Sequence, residues 1–161
     1  LIAGGISGER EISMKSGDAV EKALDPKKYE VRRYDPRDDL GLLLKIAGNA
    51  DLALILLHGR YGEDGSMQGL LDLLAVPYVG SGILGSAMAM NKRIAKSLFR
   101  AQGLLVAEDV LLFKEEPYSV DQILERLGAW TVVKPASEGS SIGVTICHSR
   151  EELIKGIEAA F

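Results

Sequence analysis

Cysteine is almost absent: Cys147 stands alone among 161 residues, which excludes an internal disulfide framework. Aromatic residues make up 6%, with a single tryptophan. No apolar run approaches the roughly 20 residues needed to span a bilayer, so no membrane partner is expected. Charge of one sign is lacking too. Lys and Arg number 19 against 23 Asp and Glu, a net charge of -4, with cations scattered among anions, so there is no basic footprint for nucleic acid. No Gly-x-Ser-x-Gly elbow and no Cys–His pairing supports covalent nucleophilic catalysis. A Walker A loop and the dinucleotide fingerprint are also missing, as are internal repeats and low-complexity tracts. What remains is an ordinary globular composition, 47% hydrophobic and 26% charged, large enough for one domain or two small ones. A cytoplasmic protein is expected. The chain opens on Leu1 rather than Met, in what reads as the tail of a strand. Residues 151–161 form an amphipathic helix whose Leu153, Ile154 and Ile157 no later element would cover. A piece of a longer polypeptide is therefore expected.

The periodicity predicts an α/β order. Residues 1–3 end a strand, and Ser7 is a candidate N-cap for a helix over 8–24, stopped by Asp25-Pro26. Residues 29–34 read as an edge strand, because strand formers carry paired arginines there. Asp35-Pro36 is a turn, a short helix follows over 40–47, and 51–57 (DLALILL) is a strand buried on both faces. After it Met67, Leu70, Leu71 and Leu74 fall at i, i+3, i+4 and i+7, the leucine face of a helix. Residues 76–79 form a fourth strand, 83–90 are small and apolar, and Asn91 is the cap of a helix over 92–102. The pattern then changes. A strand over 109–113 is followed by a capping box at Ser119 and Gln122, a helix to Leu127, and a hairpin with arms 130–134 and 144–147. A second capping box at Ser149 and Glu152 opens the last helix. The domain boundary is expected near Met90, with 1–90 an open parallel βαβ sheet and 91–161 a different α+β unit.

Three places could carry chemistry. In Gly4-Gly5-Ile6-Ser7-Gly8-Glu9, glycines let backbone approach a ligand and a helix start offers N–H groups to a carboxylate or phosphate; an ordinary turn reads the same way. Glu9 could hold a substrate ammonium or simply offset the helix dipole. His58 opens HGRYGEDGSMQG at the carboxyl end of the buried strand, where ligands settle in parallel sheets. It could be catalytic or a hydrogen-bonded structural residue, and no nearby Cys or second His supplies a metal set. Lys92 opens a helix, where a cation needs an offsetting anion, and Lys134 ends an apolar strand before Pro135. A shared phosphate would explain both; two surface lysines would be the plainer account. Between the hairpin arms, Glu138, Gly139, Ser140, Ser141 and Gly143 form a loop able to lay N–H groups and hydroxyls over phosphates, although a polar hairpin tip looks similar.

GGISGEREIS (4–13), HGRYGEDGSMQG (58–69), VPYVGSG (76–82), AMNK (89–92) and VVKPASEGSSIGV (132–144) together resemble the D-alanine–D-alanine ligase family of the ATP-grasp superfamily, in order and spacing along essentially the whole chain. The resemblance implies a Rossmann-like, pre-ATP-grasp amino-terminal domain over 1–90 and the start of the ATP-grasp domain over 91–161. It implies ATP- and Mg²⁺-dependent ligation of two D-alanines through an acylphosphate, for peptidoglycan precursor synthesis, cell-wall biogenesis and cell shape. By the same resemblance Glu9 binds the ammonium of the first D-alanine, Ser140 is hydrogen-bonded towards it, and His58 stands beside the substrates. Lys92 and Lys134 hold ATP phosphates, with Glu138, Gly139, Ser140 and Ser141 in the loop that covers them. Metal ligands are expected outside these residues, and a homodimer is expected. Asn91 departs from the Asp more common before the family's lysine, with a modest effect expected, since an uncharged cap can still start a helix. The alternatives are a D-alanine–D-lactate or D-alanine–D-serine ligase, or a non-catalytic ligand-binding or dimerisation module.

Overall fold

Ile2 lies at the middle of the amino-terminal sheet, bridged in parallel to Tyr34 on one side and to Ile55 on the other. In the computed structural model, which describes residues 1–139 and 142–161, the chain divides into two compact units, Leu1–Met90 and Asn91–Phe161. In the first, β1 (Ala53–Leu54) extends the Ile55 side and pairs in parallel with β2 (Tyr78–Val79). Parallel neighbours need crossovers. They are supplied by α1 (Arg10–Ala23), by α2 (Pro36–Ile46) with a 3-10 turn at Ala47–Asn49, and by α3 (Ser66–Leu73); α4 (Ile83–Met90) follows β2. The core gathers Ile2, Leu43, Leu57, Met67, Leu71 and Val76, with Leu70 and Leu74 packed at its margin, so the leucine face of α3 is buried as its spacing requires.

Four local expectations change. Helix α1 starts at Arg10, because Ser7 does not cap it. The Ser7 hydroxyl accepts the Glu9 N–H at 3.2 Å and donates to the His58 carbonyl at 2.7 Å, which tightens the turn before the helix. Helix α2 starts earlier than residue 40. Pro36 occupies its first position, where the missing N–H is harmless, and the Asp35 carboxylate accepts the Arg37 N–H at 3.1 Å. Along 29–34 only Tyr34 bridges a neighbour; the Arg33 side chain instead turns to α1, pairing with Asp18 and donating to the Met14 carbonyl at 3.0 Å. The run 51–57 is buried at Ala53 and Leu57, but Leu52 is 52% exposed, so it is not covered on both faces throughout.

In the second unit α5 (Lys92–Ala101) is capped by Asn91, whose side-chain oxygen accepts the Ile94 N–H at 3.1 Å. Helix α6 (Val120–Leu127) is capped by Ser119. Strands β3 (Thr131–Val133) and β4 (Thr145–Cys147) pair antiparallel, with Val132 opposite Ile146, and α7 (Arg150–Ala160) closes the unit. At α7 the Ser149 hydroxyl accepts the Glu152 N–H at 3.2 Å, while the Glu152 carboxylate accepts the His148 N–H at 2.7 Å, one residue before the cap. Ile123, Cys147, Leu153 and Ile157 form the core. Of the α7 face expected to lie bare, Leu153 and Ile157 are therefore covered within their own unit, and Ile154 is half-buried. Residues 109–113 form no strand among the described residues. Val110 and Leu112 pack on the core and Asp109 is tied to Lys96 and Arg100, so the apolar run is held by side-chain packing and an ion pair and not by a backbone ladder.

Candidate functional site

The first group of site residues lies where the Ile2 strand and β1 end. Gly4 and Gly5 turn with φ of +101° and +78°, and their N–H groups are already engaged. Gly4 donates to the Ser13 hydroxyl at 2.7 Å and Gly5 to the Asp35 carboxylate at 2.8 Å. These two N–H groups are therefore not free for an anion. Arg10 locks the arrangement by pairing with Asp35 at 2.6 Å and donating to the Gly5 carbonyl at 2.9 Å. Burial raises the Asp35 carboxyl, but the Arg10 guanidinium and the Gly5 and Arg37 N–H groups outweigh it and hold the carboxyl below its ordinary range.

Glu9 is only 8% exposed, yet among the described residues its carboxylate makes no hydrogen bond or ion pair. It lies over Gly59, where φ is +69° and no room remains for a Cβ. Its oxygens are not among the fully buried side-chain atoms left without a partner, so a carboxylate placed there can receive a ligand ammonium. His58 follows on the next strand end: its Nε2 is 3.1 Å from the Ser16 hydroxyl and its Nδ1 is 3.9 Å from the Glu63 carboxylate. Glu63 and Asp64 shape the loop. Glu63 accepts the Gly59 N–H at 2.7 Å, and Asp64 accepts those of Tyr61 and Ser66 at 2.8 and 3.0 Å. Burial pushes the Asp64 carboxyl up, and these donors more than reverse that, leaving it lowered. A cleft of about 300 Å³ opens beside this loop, lined by Gly5, Ser7, His58, Tyr61 and Met67 among others; Glu9 is not part of its wall.

Ser13, Ser16 and Asp35 were not singled out from the sequence. A signal existed: Glu9, Ser13 and Ser16 fall at i, i+4 and i+7, a polar stripe on one face of α1. Ser13 is fully buried and donates to the Leu56 carbonyl at 2.6 Å, fastening that face to the sheet.

The second group lies in the other unit. The Lys92 ammonium donates to the Glu138 carbonyl at 2.5 Å, and the Lys92 N–H to the Ala136 carbonyl at 2.9 Å. Burial lowers the Lys92 pKa, the neighbouring Lys134 charge lowers it further, and Glu138 opposes both. Two like charges are thus held together at the start of the glycine-rich loop, beside a broad groove of about 810 Å³ that both line. Glu138 and Gly139 belong to this group; Ser140 and Ser141 lie outside the described residues. Among the described residues no group of three His, Cys, Asp or Glu could hold a metal ion, and no helix is long and apolar enough to cross a membrane.

Comparison with known proteins converges on one family. The sequence model of the D-ala D-ala ligase N-terminus matches residues 42–81, and that of the D-ala D-ala ligase C-terminus matches residues 98–161. The D-alanine–D-alanine ligase of Syntrophobacter fumaroxidans is 50% identical over 161 residues, all of this chain and 52% of that protein. The chain belongs to the D-alanine–D-alanine ligase family. The Desulfotalea psychrophila member is 50% identical over 160 residues, 99% of this chain and 50% of that protein. A crystal structure of the Bacillus anthracis ligase superposes with a TM-score of 0.88 at 39% identity, covering 99% of this chain and 52% of that one. A structure of that ligase complexed with ATP gives 0.86 at 38% identity, covering 99% and 53%. The chain spans about half the length of the curated relatives it matches. The mixed α/β architecture, with its parallel strand pair in the first unit, is that of the family's solved structures. In this family member Asn91 makes the capping bond itself.

Proposed function

We propose that the full-length protein joins two D-alanines to D-alanyl-D-alanine in an ATP-driven ligation that supplies peptidoglycan precursors, and so cell-wall growth and cell shape, in the cytoplasm. The observation that carries this reading is the pair of cations, Lys92 and Lys134, held together at the glycine-rich loop, with the Lys92 pKa already lowered by burial and by its neighbour. Polyphosphate relieves that repulsion. The chain would contribute the amino-terminal substrate side over 1–90 and part of the ATP-grasp domain over 91–161.

In this scheme a carboxylate oxygen of the first D-alanine takes the terminal phosphoryl group of ATP, and ADP leaves. The amine of the second D-alanine then attacks the carbonyl carbon, the C–N bond forms, and phosphate departs with the carboxylate oxygen. Glu9 binds the first D-alanine through its ammonium, and His58 stands beside the substrates. Lys92, Lys134 and the loop of Glu138, Gly139, Ser140 and Ser141 hold the phosphates. Transfer of this kind depends on positioning and charge neutralisation, which cations and backbone donors supply without a covalent nucleophile. Mg²⁺ adds neutralising charge when bound with ATP; the described residues offer no set for it, and no step is assigned to them through the metal. The protein is expected to be a homodimer.

Full-length protein given ATP, Mg²⁺ and D-alanine should yield D-alanyl-D-alanine, with D-lactate and D-serine as competing acceptors. Lys134→Ala should chiefly impair nucleotide use and Glu9→Gln use of the first D-alanine. Product only with D-lactate or D-serine would move the assignment to that acceptor, and unchanged kinetics in either variant would refute its residue's role.

A further inference from the structure

Ser16 has no part in the ligation scheme above, yet its hydroxyl lies 3.1 Å from Nε2 of His58. Helix α1 brings it there. The buried Ser13, one turn earlier, binds the Gly4 N–H and the Leu56 carbonyl at once, so the helix is fixed to the sheet on the face that Ser16 shares. The far side of the ring is bounded as well. Nδ1 is 3.9 Å from one oxygen of Glu63, whose other oxygen accepts the Gly59 N–H at 2.7 Å. The His58 backbone is held in turn by the Ser7 hydroxyl at 2.7 Å. The ring is therefore bracketed by a hydroxyl and an anchored carboxylate while it remains 32% exposed towards the cleft.

We propose that Ser16 is a positioning residue that fixes the ring orientation of His58, so that the anchored Glu63 carboxylate on the other side of the ring can select its tautomer. A carboxylate only accepts hydrogen bonds, so it favours a proton on the nitrogen facing it, Nδ1. Nε2 is then the acceptor, and the Ser16 O–H donates to it. The opposite tautomer sets the Nδ1 lone pair against the Glu63 carboxylate, which is repulsive. A hydroxyl can serve either tautomer; the fixed charge on the other side decides which. The consequence is an imidazole held in one orientation beside the cleft, and its effect on D-alanine use rests on the ligase reading.

The test is ring-nitrogen NMR of the full-length protein near neutral pH, with His58→Gln to assign the resonance. Wild type should show His58 with Nδ1 protonated and Nε2 bare. Ser16→Ala, checked for folding by circular dichroism, should redistribute the tautomers and lower kcat/KM for D-alanine roughly five-fold, the usual size for one hydrogen bond. Ser16→Thr, which keeps the hydroxyl, should restore both. An unchanged tautomer in Ser16→Ala overturns the proposal, as does a wild-type ring protonated on Nε2. Wild type that makes no D-alanyl-D-alanine overturns the ligase reading alone, because the NMR result stands without activity.

Discussion

Replacing Gly59 with alanine separates the stability of the amino-terminal unit from the placement of Glu9. Gly59 has φ of +69°, and a Cβ there would fall well inside the 3.0 Å that real Cβ atoms keep, against Oε2 of Glu9. Two effects follow. The left-handed backbone costs about 1–2 kcal/mol for any L-residue. The clash is with the end of a flexible side chain, so Glu9 can swing away and the fold loses little more. Gly103 supplies the control: φ is +74° and nothing lies within 4 Å of its built Cβ. Gly59→Ala and Gly103→Ala should therefore show similar destabilisation in urea unfolding, about 1–2 kcal/mol each. Only Gly59→Ala should lower kcat/KM for D-alanine in the full-length protein, by roughly ten- to hundred-fold, the range for a group displaced by about an ångström. Unaltered D-alanine kinetics in Gly59→Ala would refute the claim that Glu9, in the position it now holds, binds this substrate.

Lys92 gives a pH test. Its pKa is lowered by burial and then by Lys134, so bound phosphates must raise it, and ATP affinity should fall as pH climbs through the free-state value, with proton uptake on binding. Titration calorimetry in buffers of different ionisation enthalpy should detect this in wild type and lose it in Lys92→Arg, whose charge persists; wild-type binding without proton uptake on the alkaline side would contradict it. Asp109 is held below the ordinary carboxylate range by hydrogen bonds from Lys96 and then Arg100. Its contribution is present above the unfolded pKa of about 3.9 and lost as pH falls through the lower folded value. The gap in Tm between wild type and Asp109→Asn should therefore close on acidification, and a constant gap would argue against the pairing. Gly62→Ala puts a methyl 2.9 Å from the Leu57 carbonyl carbon, which is backbone and cannot swing aside. It should cost about 1–3 kcal/mol, read as a lower urea midpoint, and an unshifted midpoint would show that the loop relaxes freely.

Elements whose cause is local were legible in the chain. Asn91, Ser119 and Ser149 cap the helices they precede because capping needs only neighbouring backbone N–H groups. The leucine face of α3 followed from spacing alone. Features set by distant partners were not legible. Ser7 looked like a cap, but its hydroxyl bonds a carbonyl 51 residues away, and Asp35-Pro36 looked like a turn when it was the start of α2. The stretch 109–113 carries a strand pattern without a ladder. Among candidate site residues, Lys92 and Lys134 were already paired in the sequence as cations that one phosphate ligand would explain, and the fold adds that the Lys134 charge lowers the Lys92 pKa. Ser16 lacked any mark except its period on α1.

The most direct measurement follows oxygen. Full-length protein should be supplied with ATP, Mg²⁺ and D-alanine labelled with ¹⁸O in its carboxylate, and the released phosphate examined by mass spectrometry. Transfer of one ¹⁸O to phosphate, with D-alanyl-D-alanine formed in equal amount, is the result expected of an acylphosphate. Dipeptide formed with unlabelled phosphate, or ATP hydrolysis without dipeptide, would contradict it.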